Sequence, residues 1–152
     1  MTLAAKHPQL LGDWVGSKQL WMNPAEPPLT SPSTLTVATT AQGRFLTLAY
    51  TWAFGDQPQD GLLLIGAPKA DEPATAGWVD SFHQGSKVMH CSGQATDSGV
   101  SVTGHYAAPP GPDWGWSLSV NASVTGELIL EMHNIPPGGA PELAVRAVYG
   151  RA

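Results

Sequence analysis

Turn-forming residues interrupt this chain about every ten positions, and that spacing limits what it can become. Asn23-Pro24, Ala41-Gln42-Gly43, Gly55-Asp56, Ala67-Pro68, Gln84-Gly85, Ser98-Gly99, Pro109 to Pro112, Thr125-Gly126 and Pro136 to Gly139 leave segments too short for ordinary helices. Between them apolar and polar residues alternate with period two, as in half-buried strands. Short strands at even spacing with turn signals between them mark an all-β barrel or sandwich. The reading gives about ten strands, near 12–22, 33–40, 43–54, 60–67, 76–83, 87–93, 100–107, 114–122, 127–134 and 142–150. Residues 8–11 read as one helical turn. Met22 to Pro32 and Pro68 to Pro73 read as proline-rich loops. No repeat or shift in composition divides residues 1–152, so one domain is expected.

Composition removes other classes. Charged residues are 12% and hydrophobic residues 42%, too apolar for a disordered chain. Seven Lys+Arg against 12 Asp+Glu leave no basic excess to neutralise phosphates, so no nucleic-acid partner is expected. The start, Met-Thr-Leu-Ala-Ala-Lys-His-Pro, has no basic segment followed by an apolar one, as a secretory signal would. No run approaches the ~18 apolar residues of a membrane span. The lone Cys91 permits no internal disulfide and fits a reducing compartment. A cytoplasmic protein with no membrane contact is the expectation.

Alternation assigns faces. Leu46, Leu48, Tyr50, Trp52 and Phe54 share one side of the third strand. Trp114, Trp116, Leu118 and Val120 share one side of the eighth; Leu128, Leu130 and Met132 share one side of the ninth. A slip of one residue would turn each set to water, so these registers are firm. The fourth strand, Leu62-Leu63-Leu64-Ile65, is apolar on both sides. It calls for a cover from a terminus, a loop or a second subunit.

The segment around Gly85 carries the candidate chemistry. With Gly85-Ser86 as a two-residue turn, His83 pairs with Val88 and Phe82 with Met89. Trp78, Asp80, Phe82, Met89 and Cys91 then face inward, and Val79, Ser81, His83, Val88, His90 and Ser92 outward. Asp80 becomes a carboxylate among aromatics. It is either a ligand contact or a buried acid satisfied by backbone N–H groups, Arg44 or Lys18. His83 and His90 fall on one outward face, but zinc needs three or four ligands and no third is evident. Ser81 points away from Asp80, which denies a Ser-His-Asp triad. Cys91 in a buried strand reads as a small hydrophobe.

The opening Gly12-Asp13-Trp14-Val15-Gly16 and the closing Ala144-Val145-Arg146-Ala147-Val148-Tyr149 resemble the calycin superfamily of lipocalin-like barrels. More closely, the chain resembles the calycin-like domain-of-unknown-function family 1579. The resemblance is carried by Trp14 to Trp21, Gly43-Arg44-Phe45-Leu46, Tyr50-Thr51-Trp52, Trp78 to His83, Pro110 to Trp116 and His133 to Gly138. It implies a closed antiparallel barrel whose Trp14 plugs one end with Arg146 packed across it. A guanidinium on an indole contributes about 1 kcal/mol. Arg151 competes for that place. The resemblance implies no activity. Some calycin-like barrels hold haem through a histidine, but the residues put no histidine inside, so no cofactor or metal is assigned.

Small barrels are either filled or hold one small ligand. Tyr50, Trp52, Trp78, Asp80, Phe82, Tyr106, Trp116 and Met132 are the candidate ligand-binding residues. The first expectation is a binding protein for a small apolar or amphipathic molecule. The second is an enzyme with Asp80 as general acid or base and Tyr50 or Tyr106 as partner. The third is a filled barrel acting as a homodimer through Trp21 and the fourth strand.

Overall fold

In a computed structural model describing residues 3–66 and 71–152, ten antiparallel strands close into a barrel. They are β1 (Gly12–Leu20), β2 (Leu29–Thr40), β3 (Phe45–Phe54), β4 (Gln57–Gly66), β5 (Ala74–Asp80), β6 (Met89–Ala95), β7 (Gly99–Tyr106), β8 (Trp114–Ala122), β9 (Leu128–Ile135) and β10 (Glu142–Arg151). A helical turn α1 (Leu3–Lys6) and a 3-10 turn (Pro8–Leu10) precede them. Each strand pairs with its sequence neighbour, and β1 pairs with β10 to close the ring, so no edge is left for another chain to extend. The expected turn at Ala67-Pro68 and the end of the expected fourth strand lie outside the described residues.

The period-two alternation sets inside and outside throughout. Leu46, Leu48, Tyr50 and Trp52 of β3, Leu118 and Val120 of β8, and Leu128, Leu130 and Met132 of β9 are buried in one core. Polar residues such as Asp13 and Ser17 of β1 and Thr34 and Thr36 of β2 face outward. That is the reverse of a barrel that crosses a membrane by its strands. None of the described helices is long and apolar enough to cross one. Where β1 lies on β10, a Cβ on Gly16 would stand 1.9 Å from the Val148 carbonyl oxygen, so only glycine allows this approach.

β2 starts earlier than the proline signals suggest. Leu29 to Pro32 pair with β1, placing Ser31 inside and Pro32 outside. On β4, Leu63 and Ile65 are buried, while Leu62 and Leu64 remain 38% and 37% exposed. Among the described residues no terminus or loop buries that outer pair.

One barrel end is plugged. Trp14 is buried, and its Nε1 donates to the Leu10 carbonyl at 2.9 Å. Arg151, not Arg146, lies across it, 4.0 Å from the ring centroid. The Arg151 guanidinium also donates to the carbonyls of Leu11 and of Gln9, the latter at 2.7 Å. Strand parity explains the correction. Val145, Ala147 and Tyr149 point inward, so Arg146 points out and pairs with Glu131 at 2.7 Å. Arg151 continues the inward parity and sits opposite Trp14. Arg151→Ala is expected to cost about 1–2 kcal/mol, read from the urea midpoint.

Candidate functional site

The other end is reached by the β5–β6 and β7–β8 connections. The β5–β6 connection departs from the expected two-residue hairpin. The last ladder pair is Trp78 with Met89, and residues 81–88 form a loop. Asp80 causes the departure. Its Oδ1 accepts the N–H groups of Phe82 at 2.8 Å and His83 at 3.2 Å, which pulls the chain off the ladder. Gln84 Nε2 ties the loop back, donating to the carbonyls of Trp78 at 2.7 Å and Lys87 at 3.0 Å. Gly85 supplies the left-handed step at φ 62.

The loop carries His83 into the barrel mouth, correcting its expected outward place. Its ring lies 5.2–5.9 Å from those of Trp52, Trp78, Phe82 and Trp116. Trp78 and Trp116 stack at 5.5 Å, nearly parallel, and Trp52 meets Phe82 edge-on. His90 is exposed on the outer face of β6, so the two histidines do not share a face. Burial lowers the His83 pKa to about 4, with Asp80 opposing and Lys18 adding to the shift. The imidazole is therefore neutral at pH 7. The unfolded chain binds this proton near the usual 6.5 and the folded chain only near 4, so stability is lost as pH falls from 6.5 to 4. The urea midpoint is expected to fall across that window, and less so in His83→Gln.

Beneath the mouth, Asp80 is 3% exposed and hydrogen-bonded. Its Oδ2 accepts from the Tyr50 hydroxyl at 2.6 Å, and Trp78 Nε1 donates to the same hydroxyl at 2.9 Å. Burial and the Asp80 carboxylate push the Tyr50 hydroxyl well above its usual pKa. Of the two readings open for Asp80, its observed partners are those of a satisfied buried acid: backbone N–H groups and a tyrosine. Neither Arg44 nor Lys18 is bonded to it. Burial raises the Cys91 thiol to about 11, so it is protonated and unreactive at neutral pH.

A cavity of about 500 Å³ opens between the two loops. Trp78, Met89, Tyr106 and Trp116 form its walls, with His83 and Lys87 beside them. Tyr106 is held by its hydroxyl, which donates to Asn134 Oδ1 at 2.6 Å. Three of the eight candidate residues, Trp78, Tyr106 and Trp116, thus line one space. Trp52 and Phe82 lie across the His83 ring from it, Tyr50 and Asp80 form the network below, and Met132 is fully buried in the core.

Lys18 is the residue that the sequence reading undervalued. It is 2% exposed, and its Nζ stands 3.4 Å from the Trp52 ring centroid and 5.5 Å from that of Tyr50. No protein acceptor bonds to it. Burial lowers its pKa to about 7, against the pull of Asp80. Parity with Trp14 on β1 was the signal: Trp14, Lys18 and Leu20 are all buried.

A family model covers residues 6–151. The chain belongs to the DUF1579 family of proteins of unknown function. No curated protein matches this DUF1579 chain. Among the solved structures that do match is the crystal structure of Rv2717c from M. tuberculosis, with 15% identity and a TM-score of 0.63. The match covers 100% of this chain and 98% of that one. At this identity the likeness concerns the fold alone. For the DUF1579 chain the histidine argument against haem no longer holds, since His83 is inside. Its Nε2 is buried without a partner, hemmed in by four aromatic rings. In this packing the Nε2 is closed to an incoming ligand.

Proposed function

We propose that this DUF1579 protein binds a small apolar or amphipathic molecule in the mouth of its barrel. The observation that carries the reading is the aromatic-walled cavity of about 500 Å³. Its size falls within the range of small-molecule sites, and its few polar groups among apolar walls are what such sites use to orient a ligand. One end of the barrel is sealed by Trp14 and Arg151, which leaves the β5–β6 and β7–β8 loops as the way in. The cytoplasm is the compartment we propose, in keeping with a single free, buried cysteine.

Asp80 is not among the residues lining the cavity, and both its oxygens are engaged. A general acid or base there would first have to give up those bonds, so binding is the stronger reading. Exposed Leu62 and Leu64 favour a second role, a homodimer through the outer face of β4. Light scattering on the purified protein tests it: a dimer mass supports the role, a monomer mass removes it.

Three indoles cluster at the mouth, so a bound aromatic compound is expected to quench tryptophan fluorescence. Titration with a panel of small aromatic compounds should give saturable quenching. Ala107→Trp, which places an indole at the rim, should abolish it. Quenching that survives Ala107→Trp unchanged puts the binding elsewhere.

A further inference from the structure

Five buried side-chain nitrogens among the described residues lack a hydrogen-bond partner. One is His7 Nε2, on the chain before the plug. The other four are Lys18 Nζ, Trp52 Nε1, His83 Nε2 and Trp116 Nε1. These four belong to one chain of contacts: Lys18 on Trp52, Trp52 on His83, His83 on Trp116. Ammonium and indole N–H groups only donate. A buried donor without an acceptor is costly, and Lys18 Nζ and Trp52 Nε1, on two side chains in direct contact, point to an acceptor brought from outside.

We propose that the ligand is a small monocarboxylic acid with an apolar or aromatic body, its carboxylate received by Lys18 and the neighbouring Trp52 indole N–H. This rests on the binding reading above and specifies its ligand. The body lies against Trp78, Trp116 and Met89, which line the cavity, and Lys18 stands off that lining, behind Trp52 and His83. The way there passes His83, whose ring comes from a loop and not from a strand. A head group meeting Lys18 takes the place of that ring.

The charge count disfavours a ligand with two negative charges. Lys18 is the one buried cation among the described residues, and the Asp80 carboxylate already faces it. A phosphate dianion would meet one ammonium and one carboxylate. The other titratable groups around the site are the Tyr50 hydroxyl and the His83 imidazole, both neutral at pH 7. Lys87 is a rival cation, but it stands exposed at the rim.

The test compares 2-naphthoate with its neutral isostere 2-naphthamide by tryptophan quenching at pH 6.5. Wild type should bind the acid at least ~10-fold more tightly, in line with a charge-assisted contact. In Lys18→Met that preference should fall to within ~2-fold while the amide still binds, which also shows that the variant is folded. Lys87→Ala should keep the preference. Equal binding of acid and amide by wild type overturns the proposal and leaves the binding reading standing. Loss of the preference in Lys87→Ala and not in Lys18→Met also overturns it. Binding of neither compound overturns both readings.

Discussion

Lys18→Met is expected to stabilise the protein by about 2–4 kcal/mol at pH 7. The unfolded chain holds the lysine proton to its usual 10.5, whereas the folded chain releases it near 7. Each unit of that difference is worth about 1.4 kcal/mol, so the gap sets an upper bound near 5 kcal/mol. Loss of the contact over Trp52 subtracts about 1–2 kcal/mol. Methionine fills the space without an unpaired donor. For a chain of this length the gain corresponds to a rise in Tm of about 5–15 °C. The sign with pH is specific. Between 7 and 10.5 the unfolded state binds more protons, so wild-type stability climbs with pH across this window. In Lys18→Met the climb is missing. A wild-type profile flat from pH 7 to 10, or a variant that melts lower at pH 7, would show that Lys18 is better solvated than its surroundings imply.

Asp80→Ala is expected to have the opposite effect, a loss of about 3–5 kcal/mol. Three donors lose their acceptor at once: the Tyr50 hydroxyl and the N–H groups of Phe82 and His83. The Tyr50 hydroxyl is fully buried, and with it goes the orientation of Trp78 Nε1. The turn that carries His83 inward loses its anchor, so the His83 contribution to the acid limb should vanish in the same variant. Asp80→Asn keeps an acceptor for the loop and should cost only about 1–2 kcal/mol. Tyr50→Phe should fall in the same range. Urea titrations of the three variants check the order. Equal losses in Asp80→Ala and Asp80→Asn would mean that the charge, and not the hydrogen bonds, holds the loop.

The barrel could be read from the chain because turn residues and period-two patterning agree at nearly every segment. Trp52, Leu118 and Met132 were placed inward by parity alone, and they are buried. The mouth was harder to read, because there side-chain bonds outcompete the ladder. Residues 81–88 contain a plausible two-residue turn at Gly85-Ser86, and alternation through it sent His83 outward. Asp80 overrides that pattern by capturing two backbone N–H groups, which periodicity does not register. Lys18 was legible in principle, four residues beyond Trp14 on a nine-residue strand. A charged residue at an inward position is rare, so alternation alone assigns Lys18 no role beyond that of a partner for Asp80. Proline signals likewise start β2 too late, since Pro32 faces out and interrupts little.

Uptake of an acid in the barrel mouth through Lys18 carries a proton with it. Calorimetry of 2-naphthoate binding at pH 8, in buffers of different ionisation heat, tests it most directly. Most Lys18 amines are neutral at that pH. Pairing with a carboxylate restores their charge, so binding should draw about 0.9 proton per ligand from the buffer, and none in Lys18→Met. Binding without proton uptake, or no binding heat at all, would contradict the claim.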